Sequence, residues 1–597
     1  MADSPLANST GVLSWAISCD GTQIEDSVNL ISLDIQLNVN RINTAILVLE
    51  DGDMPNADFP LSDAATFKPG AEVKIQLGYA QVLSDVFTGV VIKHSIKISS
   101  NNAARLVIEC KDKAIAMTVG RKNANYIDML DSDIISKLIG NYSGLSAADV
   151  TATTTSHKEL VQFYTSDWDF MLARAEANGL LVSLDAGKVS VKAPEASGSA
   201  VLTVTYGVDM VEFHADMDAR HQYSTVETYA WDLASLQVQN NQSTPVTLPS
   251  QGDITSATLA EVIGLSAFRL QSGVPLESDF LSTWAKAQQL KSGLARIRGH
   301  VSFQGSALAK PAALLELAGV GARFNGTVFI SGVEHSVADG NWITRVDFGM
   351  APQWFSEANQ LESPPAAGLT AGIRGLHVGV VMKLDADPES QYKVQVSIPE
   401  MSAETDGFWA RLAQFYASNS FGAFFIPEIG DEVILGFFND DPSHPVILGS
   451  LYSSKNKPAY ELTADNNTKA LVTRSKMKLE FDDDKKIITL VTPGNNTIVI
   501  SDDGKSILLQ DQNSNKVELN SSGITLDTPK DITLTAKGKI VLNATGNIEG
   551  TAQADVKLTG LNITQTANVG FTAKGSATAE VSASGTTTIK GAMVMIN

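Results

Sequence analysis

Cysteine is nearly absent from these 597 residues, which contain only Cys19 and Cys110. Two thiols cannot build a disulfide framework or a thiolate metal centre, so packing alone must hold the fold. No stretch of eighteen apolar residues occurs, which excludes a membrane-spanning helix. The opening MADSPLANSTGVLSW has no basic segment followed by an apolar core, so it does not read as a secretory signal. Synthesis in the cytoplasm is expected, with any action beyond the cell depending on a larger carrier. Positive charge is scarce: 44 Lys and Arg stand against 66 Asp and Glu, a formal net charge of −22. Such a surface repels phosphate backbones, so no nucleic acid partner is expected.

Catalytic motifs are missing too. HExxH, GxSxG and a Walker-type glycine loop do not occur, and the eight histidines include no i,i+4 pair. Gly319-Val320-Gly321-Ala322-Arg323-Phe324 is a broken dinucleotide fingerprint without a crossover helix, and reads as a β-turn. Asp482-Asp483-Asp484 and Asp502-Asp503-Gly504 read as turn aspartates bonded to their own backbone rather than as calcium ligands. His335 and His444 read as strand-end residues. No catalytic residue, cofactor or metal is expected, and the chain reads as non-enzymatic.

The length calls for three or four domains. Ile31, Leu33, Ile35, Leu37 and Val39 alternate strictly, the mark of a half-buried strand. Strands continue at 46–49, 73–77 and 90–92, and resume at 296–304, 312–317, 327–337 and 342–349. Three helices interrupt them. The first covers 131–139, with Ile134, Ile135, Leu138 and Ile139 on one face and Gly140 as its breaker. The second covers 167–177, capped by Ser166 with Asp169 three residues on. The third covers 279–294. Residues 362–372 form a Pro/Ala/Gly linker, and 373–452 have the size and alternation of a five-stranded Greek-key barrel. Phe424, Phe425, Phe437 and Phe438 read as barrel core or as an interface between copies.

From Asp482 onward the only aromatic residue is Phe571, and no globular core can be built from such a composition. Periodicity replaces it. Ile524, Ile532, Ile540, Ile548 and Val556 recur every eight residues, followed two residues later by Leu526, Leu534, Leu542, Gly550 and Leu558. An i,i+2 apolar pair points to one face of a strand, so each octad offers a short inward strand and a polar corner. A single-chain β-helix needs roughly 20 or more residues per turn to enclose packed side chains. Eight residues span about 27 Å, one wall of such a prism. Three chains would complete each turn, which predicts an obligate homotrimer. The register slips near Gly560, where Leu561, Ile563, Val569 and Phe571 restart it, and resumes at Val581 and Ile589.

The barrel segment resembles a known family. Gly379-Val380-Val381, Asp387-Pro388, Lys393-Val394-Gln395-Val396 before Pro399, Trp409-Ala410-Arg411, the run from Phe425 to Val433, Gly436-Phe437, Asp441-Pro442 and the run from Pro445 to Tyr452 carry the resemblance. It is to the oligonucleotide/oligosaccharide-binding-like (OB-like) domain of Vgr-type spike proteins of contractile injection systems. Residues 1–361 resemble the hub half of that family, similar to the baseplate hub of T-even phages. The supporting stretches include VNRINTAILVLEDGD (39–53), Phe67-Lys68-Pro69-Gly70, ELVQFYTSDWDF (159–170) and RGHVSFQGSALAKP (298–311).

The resemblance implies a mainly β chain with two β-barrel-like hub domains and helical insertions in 1–361. After the linker and barrel, neck strands at 453–520 lead to a trimeric intertwined β-helix needle at 521–597. It implies an inner tube protein and baseplate proteins at the hub end, and a small conical PAAR-like tip protein docking on Met593, Val594, Met595, Ile596 and Asn597. Effector cargo and transient contact with a target membrane are further expectations. The chain looks closest to spikes of extracellular phage-tail-like particles, with a type VI secretion spike as the alternative and a trimeric tail-fibre-like adhesin further off. Departures from the family are also evident. Only about twenty residues separate Tyr452 from Thr473, too few for an inserted lysozyme. No histidine follows His444 to hold a needle-tip metal, and the closing TIKGAMVMIN keeps the β pattern with no appended effector expected.

Overall fold

A computed structural model describes residues 2–25, 27–100, 103–359, 361–401 and 406–596. The chain divides into two compact units, Met1–Leu451 and Tyr452–Asn597, and is mainly β. The first unit is organised by a sheet of thirteen strands among the described residues. Its N-terminal strands, among them Leu30–Asn38 and Thr44–Glu50, are joined to the later strands Gly326–Ala338, Asn341–Phe348 and Ile297–Gln304. The junction is antiparallel, with Val333 opposite Leu37, His335 opposite Ile35 and Val337 opposite Leu33. Period-two alternation therefore sends both sets of aliphatics into one core, around Leu33, Ile35, Leu47, Ile75, Phe303 and Trp342. Trp342 stacks on Tyr79 at 5.6 Å. A Cβ at Gly305 would fall 2.0 Å from the Trp342 ring, which accounts for glycine there.

His335 is not at a strand end. It lies inside Gly326–Ala338 and is buried, because it shares the inward phase of Val333 and Val337. The indole N–H of Trp342 donates to its Nδ1 at 3.3 Å, and Thr344 Oγ1 lies 2.9 Å from the same nitrogen. Burial pushes its pKa down to about 4.

Residues 114–191 build a second core around helices α1 (Asp131–Gly140) and α2 (Asp167–Ala177). Ser166 caps α2, accepting from the Asp169 amide at 3.1 Å. Between the helices sits a buried carboxylate, Asp131. Arg174 reaches it with Nε at 2.7 Å and Nη2 at 2.9 Å, His157 Nε2 lies 3.0 Å away, and Asn178 donates at 2.8 Å. Burial alone would raise the Asp131 pKa, but the bonds from His157, Arg174 and Asn178 hold it well below the usual carboxylate range.

Helix α3 (Ser256–Ile263) was not anticipated from the sequence. Thr255 caps it and Gly264 ends it in the left-handed region at φ 71°. Helix α4 (Ser278–Leu294) covers a three-stranded sheet of Val226–Asp232, Gln237–Gln242 and Phe268–Ser272, where the Thr228 hydroxyl donates to the Leu281 carbonyl at 3.0 Å. Gly319 and Gly321 occupy a turn between the strands Leu314–Ala318 and Gly326–Ala338, both at positive φ.

The strands His377–Lys383, Val394–Ser397, Phe408–Leu412, Pro445–Ser450 and Glu432–Phe437 close a small barrel in that order. Val381, Val396, Ala410, Val433, Leu435 and Ile447 fill it. Phe437 packs partly against this core, whereas Phe424, Phe425 and Phe438 are exposed. The block FGAFFIP lacks the alternation that would send a side chain inward, and residues 423–429 form no strand. Arg411 lies over the Phe438 ring at 5.7 Å.

The second unit is an antiparallel meander of seven strands: Thr468–Val472, Lys478–Asp482, Ile487–Val491, Thr497–Ser501, Ser506–Gln510, Lys516–Asn520 and Gly523–Asp527. The last of these, Gly523–Asp527, carries the first octad pair and lies in the same sheet as the strands of the expected neck at 453–520. Among the described residues no strand follows Asp527. A strand is defined by bonds to a neighbour, and an octad chain has none of its own to offer.

Candidate assembly surface

The meander pairs like with like. Leu479 faces Leu490, and Phe481 faces Ile488. Ile488 faces Ile500 and Leu490 faces Ile498; Ile498 faces Leu509 and Ile500 faces Ile507. The series continues with Ile507 against Leu519 and Leu509 against Val517, then Val517 against Leu526 and Leu519 against Ile524. Residues directly opposite in an antiparallel pair share a face. One face is therefore an unbroken apolar ladder two side chains wide, aliphatic at every position but Phe481.

The other face carries Glu480, Thr489, Val499, Leu508, Glu518 and Thr525, each opposite the next. Its charges are paired locally: Lys478 with Glu480 at 2.9 Å and Lys516 with Glu518 at 3.0 Å. Hydrogen bonds from Tyr460 and Lys478 hold the Glu480 carboxyl below its ordinary value. The turns are fixed by their own side chains. Asp482 accepts from the amides of Asp484 and Lys485, and Asp511 from those of Asn513 and Asn515. Residues Lys486, Asn495, Lys505 and Ser514 take left-handed φ near these corners, the conformation that three- and four-residue hairpins require.

Among the described residues the ladder is left exposed. Ile500 is 42% exposed, Leu509 42% and Ile524 72%. Among the described residues Ser501 is the only buried residue of the second unit. Full burial of such an aliphatic side chain contributes about 1.5–3 kcal/mol, so this surface leaves a large stabilisation unrealised. The first octad pair, Ile524 and Leu526, closes the ladder; Leu526 is exposed, as are the later octad residues Ile532, Leu534, Ile540, Leu542, Ile548, Val556, Leu558, Val581 and Ile589. Of the octad positions, only Ile524 and Leu526 lie in a strand. Met593, Val594, Met595 and Ile596 are exposed as well, while Asn597 lies outside the described residues.

Five rungs upstream of the octads, from Leu479/Phe481 to Val517/Leu519, were missed in the sequence. Their signal was the same i,i+2 pair at a spacing of nine or ten residues, lengthened by the hairpin corners.

Residues 9–339 match the family model described as the Alg8 N-terminal domain. Residues 377–452, the barrel, match the model described as the Type VI secretion system/phage-baseplate injector OB domain. The chain is similar to the Type VI secretion system spike protein VgrG1a of Pseudomonas aeruginosa, 36% identical over 76 residues that make up 13% of this chain and 12% of that protein. It is likewise similar to the spike protein VgrG3 of Vibrio cholerae, 37% identical over 84 residues, 13% of this chain and 8% of that one. Only a small part of each curated relative is therefore spanned. Among solved structures, a tail protein from Neisseria meningitidis MC58 is 13% identical with a TM-score of 0.42, covering 58% of this chain and 99% of that one. The Escherichia coli protein c3393, described as a component of the type VI secretion system, is 13% identical with a TM-score of 0.37, covering 73% and 99%.

Proposed function

This chain belongs to the family of the Alg8 N-terminal domain, and we propose that it is the non-enzymatic, homotrimeric central spike of a contractile phage-tail-like injection system. The match of its barrel to the injector OB-domain model and the likeness of the chain to VgrG spike proteins support the assignment. The observation that carries it is the ladder of the meander, which reaches the first octad pair, Ile524 and Leu526, and is left exposed among the described residues. Three ladders wrapped on a common axis would bury one another and supply each octad with backbone partners from the other two chains.

The first unit would seat the inner tube and meet the baseplate. The needle would carry axial force to the target envelope, with a conical PAAR-like tip protein on Met593 to Asn597. A closed prism without a hinge suits that task, because compression is borne by backbone hydrogen bonds between chains. Sedimentation of the full-length chain tests the reading. A single species at three times the chain mass is expected, and a stable, fully folded single subunit would sink it. A type VI secretion spike is the second reading, favoured by the names of the chain's curated relatives. Finding sheath, tube and tip genes next to an extracellular-particle cluster or a type VI cluster separates the two.

A further inference from the structure

A cleft of about 600 Å³ opens in the first unit between the ends of the Val226–Asp232 and Gln237–Gln242 strands, the 243–255 segment and the helices α3 and α4. Its volume is that of an ordinary small-molecule site. Three features of its wall favour negative charge. Arg296 lines it and is only 8% exposed. Its guanidinium donates to the backbone carbonyls of Ile254 and, at 2.7 Å, Gln251, and it makes no ion pair among the described residues. The nearby carboxylates are committed elsewhere: Asp253 to Arg323 at 2.6 Å and Asp218 to Arg220 at 2.6 Å. A buried cation is ordinarily paired, because an uncompensated charge away from water is costly. Burial pushes the Arg296 pKa down, the direction expected of a guanidinium with no carboxylate beside it.

The second feature is Ser256, also in the wall, whose Oγ is buried and has no hydrogen-bond partner. Groups of this kind are nearly always satisfied, so an orphan hydroxyl marks a missing acceptor or donor. Ser256 is also the first residue of α3. Thr255 satisfies the Thr258 amide at 3.2 Å, which leaves the amides of Ser256 and Ala257 without acceptors inside the helix. Those amides and the positive end of the helix dipole form the third feature.

We propose that this cleft binds the oxyanion group, a phosphate or a carboxylate, of a small ligand held between Arg296, the Ser256 hydroxyl and the first amides of α3. Tyr223, Val246 and Leu248 supply the apolar side of the wall and would take the rest of the molecule. Nothing in the assembly reading depends on this site.

Titration of the full-length protein with inorganic phosphate and, separately, with acetate at constant ionic strength tests the proposal, followed by calorimetry and phosphorus NMR. Saturable binding of one anion per chain is expected, and the tighter of the two names the head group. Ser256→Asp places a carboxylate of the chain's own at the same spot, where an acid at a helix start is well tolerated. It is expected to weaken anion binding at least tenfold with an unchanged circular dichroism spectrum, and Arg296→Gln to weaken it comparably. Absence of saturable binding by either anion, or undiminished binding in Ser256→Asp, overturns the proposal.

Discussion

The two units of this chain solve the problem of burial in opposite ways. Met1–Leu451 contains four clusters of buried side chains. Tyr452–Asn597 has no buried apolar residue among those described, although its aliphatics are as regularly spaced as any in the first. Regular alternation is therefore not sufficient for a core. A sheet whose apolar face is two side chains wide has nothing to fold back upon, whereas a sheet with α1, α2 and α4 at hand does. The first unit is expected to be stable as a subunit property, the second only as a property of the assembly.

The largest effect that could break this contrast is a charge on the ladder. Ile532→Asp with Ile540→Asp would place six carboxylates on the axis of a trimer, where unpaired charge is strongly disfavoured. Loss of the trimer in sedimentation is expected, with the melting of the first unit unchanged. Trimers of wild-type thermal stability would refute the ladder as the assembly surface.

Next in size is a change confined to the first unit. Asp131→Ala strips Arg174, His157 and Asn178 of their common acceptor, and breaking one side of a buried pair costs about 3–5 kcal/mol. Chemical denaturation should show that loss in the first unit, while the mass of the assembly stays the same. A loss below 1 kcal/mol would mean that solvent reaches the cluster.

Acid should act on the same unit in two steps. His335 has a folded pKa of about 4 against an ordinary 6.5, so the unfolded chain binds the extra proton between those values. Its neutral burial contributes fully above pH 6.5, and about 3 kcal/mol is lost as the pH falls to 4. Asp131, whose folded pKa lies below its ordinary value, adds its loss only at lower pH. Denaturant midpoints measured from pH 7 to pH 4 should fall, and His335→Gln should flatten that slope. An equal slope in the variant would assign the acid sensitivity to other groups.

Much of this was legible in advance, for reasons that differ by element. Helices α1 and α2 were readable because their apolar stripes end at Gly140 and begin after Ser166, so period and cap agree. Helix α3 had its signals too, Thr255 before it and Gly264 after it, but eight residues give too little period to read. The burial of His335 was written in its phase with Val333 and Val337 and was overlooked because histidine is seldom fully buried. The exposure of Phe424 and Phe425 follows from a run of aromatics without alternation. The Asp131 cluster joins positions 131, 157, 174 and 178 across three elements, and no local pattern announces a contact of that range. The ladder was half read: its eight-residue rungs stood out, while the nine- and ten-residue rungs were hidden by corners that vary in length.

The smallest effect sharpens the comparison where the first unit's order is purely local. The Ser166 hydroxyl accepts from the Asp169 amide at 3.1 Å and donates to the Asp169 carboxylate at 2.7 Å, closing the first turn of α2. Ser166→Ala leaves that amide without its cap, a change that costs about 1 kcal/mol. Helix α2 carries Met171, Leu172 and Ala175 into the second core, so the loss should appear as a lower melting temperature of the first unit as a whole. Because this cap is a bond within the first unit, the mass of the proposed trimer should not move. If it did, the two units would be coupled more tightly than their separate modes of burial require.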